Sequence, residues 1–474
     1  MPPPEIDILQ ARLGSVTAPA GCGKTQLIAD ALSQHTDIKP VLVLTHTNSG
    51  VTALRARVQR SGVPNSAYRV STIDGFAMRL AAKFPLRAGL DAHVLELANP
   101  NADYPAIRVA VQRLLQAGHI VDPIASTYSR LLVDEYQDCN TTQHAIVCSI
   151  AQTLPTCIFG DPMQAIFGFR DPLVHWEREA QVAFPPFGAL QTPWRWRHAG
   201  TDALGAWLLQ ARELLQAGRP VDLRGAPEEV QWVQLIQGME VQQRLVAART
   251  DAPNRDGRVL VIGDSMNVKG RHQLTMQTPG ATCVEAVDLK DLVSFARQFD
   301  SASPNALRLL AEFATSLMTG VGTANLLTRV ETIRGGRARS PATPAEAAAV
   351  AFMVAPSHTT SIDLLQSLAD QCGARVYRPE VLYCCISALR AAGGEGGFNG
   401  AAMQARERNR HLCRPLGRRA VGSTLLLKGL EADVAVILEP ERMTAQHLYV
   451  ALTRGARRVV ICSFTPLLTP AAGR

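Results

Sequence analysis

The stretch GSVTAPAGCGKTQLIADAL, Gly14 to Leu32, decides the fold. A short apolar run gives way to small residues, and a helical pattern follows. That order reads as strand, tight turn and helix. Gly21 and Gly23 let the backbone close around an anion, with successive N–H groups and the helix N-terminus facing it. Ala20, Gly21, Cys22, Gly23, Lys24, Thr25 and Gln26 are therefore candidate nucleotide-binding residues. In such a loop the lysine reaches the β- and γ-phosphates and the threonine hydroxyl holds Mg²⁺. The first glycine of the general pattern is Ala18 here.

Outward from this loop the plan repeats. PVLVLTHTNSGVTALRARV (40–58) is a strand followed by a helix with Val51, Leu54 and Val58 on one face. SRLLVDEY (129–136) and TCIFGDP (156–162) are two further buried strands that end in polar residues. Short apolar runs alternating with helices imply a parallel sheet covered on both faces, with ligands at the carboxyl ends of the strands. A Pro-rich stretch, FPPFGALQTPW (184–194), precedes a second group of runs: WVQLI, GRVLVIGDS, AVAFMVAP (349–356), STLLLKG, DVAVILEP and RRVVICSF. These read as a second parallel sheet.

The expected fold class is α/β, with two P-loop-type parallel-sheet domains and small helical insertions. Residues 1–190 form the first domain, with a short insertion at about 82–128. Residues 191–268 and 345–474 form the second. Residues 269–344, which include ALRLLAEFATSLM, form a helical insertion.

Bulk properties are those of a globular chain. Of 474 residues, 47% are hydrophobic and 19% charged, enough to build large cores. The net charge of +7 is compatible with a polyanionic partner without requiring one. None of the ten cysteines lies in CxxC spacing, which implies buried thiols rather than a metal cluster. MPPPEIDILQ lacks the basic and apolar regions of a signal peptide, and no apolar run reaches the ~18 residues of a membrane span. A soluble cytoplasmic protein without a membrane partner is expected.

The loop needs carboxylates to work on a nucleotide, and LLVDEYQDCN (131–140) supplies them. Asp134 is the candidate metal ligand together with Thr25. Glu135 is the candidate group that orients the attacking water. ATP and Mg²⁺ are the implied ligands.

The remaining motifs carry a family resemblance. VDEYQD resembles motif II (DExQD) of superfamily 1 helicases of the UvrD/Rep type. LTHTNSGVTALRARV resembles motif Ia and STIDGFAMRL the TFHSF segment. IFGDPMQAIFGFR resembles motif III, LQTPWRW motif IV, STLLLKGLEADVAVIL motif V and LYVALTRGARRVVI motif VI. They stand in family order from residue 17 to about 462. The resemblance implies two RecA-like domains and ATP hydrolysis coupled to movement on single-stranded DNA or a tailed duplex, with 3′ to 5′ polarity.

By the same resemblance, Gln164 senses the γ-phosphate, and Arg195 and Arg454 act as arginine fingers when the domains close. Trp194 stacks on adenine, Glu431 holds the ribose, and Gln10 stands near the position of an adenine-reading glutamine. Thr47, Asn48, Thr72, Phe76, Phe167 and Phe169 are the implied nucleic-acid contacts, the phenylalanines as stacking platforms. The compact size, the TxDGF segment and the DEYQD motif also resemble GajB-type helicase-like subunits of Gabija anti-phage systems. Those imply an OLD-type TOPRIM nuclease as partner.

Four positions depart from the family pattern: His46 replaces a stacking Phe, Asp74 a His, Pro193 an Asn, and Leu425 the motif V His. Asp74 puts a negative charge where strand contact is expected, and Leu425 removes a link between hydrolysis and the DNA track. These leave open a second reading, a DNA-responsive ATPase that gates a partner nuclease without unwinding.

Overall fold

The computed structural model describes residues 6–472 except 98, 169, 170, 395 and 412–416. Two six-stranded parallel sheets organise the chain. The first contains β1 (Leu13–Thr17), β2 (Val41–Thr45), β3 (Tyr68–Thr72), β4 (Arg130–Val133), β5 (Thr156–Gly160) and β6 (Pro186–Ala189). Their spatial order is β3-β2-β4-β5-β1-β6. β2 and β5 are buried at every position, because helices cover both faces. The loops after β4, β5 and β1 are thus neighbours, and they bring Asp134, Asp161 and the Gly21–Lys24 turn to one edge.

β6 lies inside the Pro-rich stretch, where no strand was expected. It is an edge strand with proline at its first residue, the position where a missing N–H costs no ladder bond.

The second sheet contains β7 (Val230–Gln234), β8 (Val259–Gly263), β9 (Ala281–Cys283), β10 (Arg419–Ser423), β11 (Ala432–Ile437) and β12 (Gly455–Ser463), in the order β9-β10-β8-β11-β12-β7. The α/β class with two RecA-like parallel-sheet domains is therefore as the sequence implied.

One expected strand is a helix. AVAFMVAP lies within and just past the helix Pro344–Val354. A short apolar run cannot be told from a buried helix by periodicity. The start signal was present in TPAE: Thr343 accepts from the Glu346 N–H, Glu346 reaches back to the Thr343 N–H, and Pro344 occupies the first turn.

Among the described residues, seven helices from Lys290–Gln298 to Gly397–His411 share one apolar core, in which Phe295 and Phe313 stack with centroids 3.9 Å apart. The helical body therefore begins later and runs further than 269–344, while helix Val268–Gln277 and β9 belong beside the second sheet. Buried Arg378 ties the body to that sheet through Glu285 at 2.7 and 2.8 Å. The nine described cysteines carry free thiols. No helix among the described residues is long and apolar enough to cross a membrane.

Candidate active site

The turn after β1 adopts the left-handed backbone its glycines permit, with φ of 72° at Gly21 and 89° at Gly23. A Cβ on Gly21 would come within 2.5 Å of the Trp196 ring, and one on Gly23 within 3.1 Å of Trp194. Both glycines are thus required by backbone angle and by close approach. Helix Lys24–Ser33 starts directly behind them, so its first N–H groups face the turn. Cys22 is buried beneath the loop, and Thr25 is half-buried at the first helical turn. Gln26 is turned away, bonded to Asp30 at 2.7 Å and to Arg57 at 3.2 Å.

β4 delivers the carboxylates. The Lys24 ammonium lies 3.1 Å from Asp134 and forms an ion pair with Glu135. Burial pushes the Asp134 carboxyl up against the pull of Lys24. Burial also acts to raise Glu135, but Lys24 and Lys428 outweigh it and hold that carboxyl down at about 2. Burial opposes the charge on Lys24, and the two carboxylates more than restore it. Glu135 has φ of 54°, a conformation that costs a non-glycine residue about 1–3 kcal/mol and is found where function fixes a side chain. Gln137 steadies it, donating to Glu135 at 2.5 Å while its oxygen accepts the Asp161 N–H at 3.1 Å.

The second sheet's side contributes the opposite wall. Helix Trp194–Ala199 lies against the glycine turn, with the Arg195 N–H donating to Gly21 O at 3.1 Å. The Arg195 guanidinium donates to Thr453 O at 2.6 Å and forms an ion pair with Glu431. Arg454 is 3% exposed and, among the described residues, bonds only neutral acceptors: Val450 O, Leu430 O and the Thr453 hydroxyl. Burial, and then Arg195 beside it, lower Arg454 to about 10. A buried cation with no carboxylate partner is costly unless an anion joins it. Two adjacent arginines facing Lys24 and a glycine-lined turn therefore suit a polyphosphate. Asp134, Glu135 and Thr25 supply hard oxygen donors that fit Mg²⁺ beside it.

Sequence reasoning missed the contacts that join the two walls. Tyr449 accepts the Ala20 N–H at 3.1 Å. Arg212 meets the fully buried Asp161 at 2.7 Å. Lys428 is held by both Asp138 oxygens, at 2.5 and 2.7 Å, and by Gln164 O at 2.5 Å. Each partner stands inside a quoted motif or, for Arg212, in a helical repeat, but nothing local pairs residues some 50 to 430 positions apart.

The proposed nucleic-acid residues are distributed differently. Thr47 and Thr72 spend their hydroxyls as helix caps, accepting from Gly50 N–H at 3.1 Å and Gly75 N–H at 2.9 Å. Asn48 opens the helix that Thr47 caps. Phe76 is 2% exposed and packs edge-on to Tyr128, so it is a core residue rather than a stacking platform. Phe167 is half-buried, 5.5 Å from the His46 ring and 4.7 Å from the Lys428 ammonium. Burial lowers His46 to about 4, so that ring is neutral. Phe169 lies outside the described residues. Gln164 is buried, its amide on Asp161 at 3.2 Å. Trp194 is half-buried beside Gly23, with His198 at 5.7 Å. Gln10 is exposed and bonded to Asp7.

Asp74 does not present a free charge to a DNA strand. Arg108 grips it at 2.7 and 2.8 Å and Gln143 donates at 2.9 Å. The compensating arginine comes from helix Pro100–Gln116 of the first-domain insertion.

This fold and site define a nucleotide-binding protein of the P-loop class, with its candidate site shared between two RecA-like domains. Within that class, residues 90–184 match the UvrD/REP helicase N-terminal domain. The chain is 31% identical over 96 residues to an ATP-dependent helicase/nuclease protein of Levilactobacillus brevis, a match covering 19% of this chain and 7% of that protein. The matched part is thus a small fraction of that relative's length. The Pif1 helicase of Candida albicans aligns over 98% of this chain and 94% of its own, at 10% identity and a TM-score of 0.42.

Proposed function

We propose that the chain is an ATP-driven motor on single-stranded DNA, of the UvrD/Rep helicase type. The observation that carries this is the convergence of Lys24, Asp134 and Glu135 from one sheet with Arg195 and Arg454 from the other's side. Lys24 leaves its carboxylates to hold the β- and γ-phosphates. Thr25 and Asp134 hold Mg²⁺, which shields phosphate charge when bound. Glu135 orients water, Gln164 reports the γ-phosphate, and the two arginines stabilise charge on the transferring phosphoryl group. Trp194 packs on the base and Glu431 takes the ribose, releasing Arg195. Ala20 to Gln26 form the cradle. Because the arginines come from the second domain, hydrolysis requires closure, and closure is the motor stroke.

Phe167, beside Lys428 and Gln164, is the best placed of the aromatic candidates to feel that stroke. By resemblance the polarity is 3′ to 5′, the setting is cytoplasmic anti-phage defence and the partner is a TOPRIM nuclease. Strand displacement on 3′- and 5′-tailed duplexes tests the motor; displacement from the 3′ tail alone is expected. Phe76 in the core and two threonines spent as caps favour one alternative, an ATPase that gates a nuclease. Single-strand-stimulated hydrolysis without displacement would select it.

A further inference from the structure

Nearly all of the chain's charge imbalance lies in one segment. Residues 48–88 hold seven Lys or Arg and one Asp, in a chain whose net charge is +7. That one acid, Asp74, is already taken by Arg108. Three of the arginines, Arg55, Arg69 and Arg79, line an open groove of about 480 Å³ along the edge strand β3, with Asn65, Tyr68 and Tyr128.

The guanidiniums are positioned but not neutralised. Arg55 donates to Val70 O at 3.1 Å, and Arg69 to Asn65 O at 2.7 Å and Tyr68 O at 2.8 Å. Arg79 lies 6.0 Å over the Phe76 ring. No carboxylate pairs with any of the three among the described residues. Two of these contacts also occupy carbonyls of the edge strand, which blunts it as a template for an added peptide strand.

The groove is remote from the nucleotide. Tyr68 pairs with Val41 at the first residues of their strands, and Tyr128 precedes β4. Asp134, Asp161 and Lys24 lie at the carboxyl ends. Tyr68 is 6% exposed and Tyr128 packs edge-on to Phe76, so neither ring offers a free face to a base. Fixed positive charge without a stacking platform suits duplex phosphates better than an unstacked strand.

We infer that this groove binds the phosphate backbone of duplex nucleic acid, holding the double-stranded arm of a tailed substrate away from the cleft. The inference rests on the reading that the chain acts on DNA. The test compares wild type with the Arg55→Gln/Arg69→Gln/Arg79→Gln variant, on a 3′-tailed duplex and on a single strand of about ten nucleotides, across a salt series. Each phosphate contact contributes about 0.9 to the slope of log K against log salt on B-DNA. The variant is expected to lose roughly two to three units of slope and at least about tenfold in affinity on the tailed duplex. Binding and ATPase stimulation with the short strand stay unchanged.

Arg79→Gln alone, which removes no backbone bond, is expected to lose about one unit of slope and serves if the triple variant does not fold. Wild-type affinity and slope in the variants would overturn the inference, as would equal loss on both DNAs. Loss of polyglutamate binding with intact duplex binding would also overturn it, and would reassign the groove to an acidic protein. Wild type that binds neither DNA would instead refute the motor.

Discussion

Replacing Lys428 with alanine removes the one cation in ion-pair distance of Asp138 among the described residues, across the contact between the two walls of the site. Asp138 stays in place, 2% exposed, with only the Gln137 amide nearby at 3.4 Å, and Gln164 O loses the same donor. A buried charge stranded in this way costs about 3–5 kcal/mol.

The cost depends on pH, and its sign follows from the wild type. Burial pushes the Asp138 carboxyl up to about 7 even with Lys428 beside it. The folded chain thus holds that proton more tightly than the unfolded chain, where the value is about 3.9. Stability from this group is fully present below about pH 4 and falls as pH rises towards 7. Without Lys428 the fall continues to higher pH. At pH 8.5 the variant should therefore trail wild type by about 3–5 kcal/mol. At pH 5.5, with Asp138 protonated in both proteins, only hydrogen bonds worth about 1 kcal/mol are lost.

Urea unfolding at the two pH values measures this, with hydrogen exchange at 134–140 reporting local opening. In a cycle with Asp138→Asn, the double variant should recover at least about 2 kcal/mol, as expected for residues in contact. A deficit under about 0.5 kcal/mol at pH 8.5, an equal deficit at both pH values, or simple additivity would refute the reasoning.

Lys24→Ala and Glu135→Gln should each abolish ATP turnover in a phosphate-release assay; near-normal turnover in both would remove the site assignment. Arg454→Ala should keep nucleotide affinity, read by fluorescent-nucleotide titration, and lower hydrolysis on the 10³–10⁵ scale of arginine fingers. Asp74→Asn leaves Arg108 without its bidentate partner and should cost about 2–4 kcal/mol. Burial opposes the charge on Asp74, but Arg108 holds its carboxyl below the usual range. Wild type should therefore lose this contribution as pH falls below about 4, a loss that acid titration of Asp74→Asn should not show.

Much of the fold was legible because its signals are local. Strand, glycine turn and helix in Gly14–Leu32, and the buried runs that end at Val133 and Gly160, depend on neighbours within a dozen residues. The helix over Pro344–Val354 was misread because its apolar run is short and alanine-rich, although its capping box was present. Phe76 could not be assigned to the core from its motif alone, since burial depends on Tyr128 and the insertion helices packing over it. The neutralisation of Asp74 by Arg108, and the bonds that Lys428, Tyr449 and Arg212 make across the interface, depend on long-range geometry that carries no periodic signature. The charge excess over residues 48–88 was in plain view, but it acquired meaning only once three of its arginines met along β3.

The central claim is that one nucleotide site, built from both domains, answers to a DNA strand. ATP hydrolysis by the wild-type chain, measured with and without an unstructured single strand and beside Lys24→Ala, tests it most directly. The account predicts hydrolysis that rises severalfold with the single strand and vanishes in Lys24→Ala. Hydrolysis indifferent to the strand, or surviving in Lys24→Ala, would contradict it.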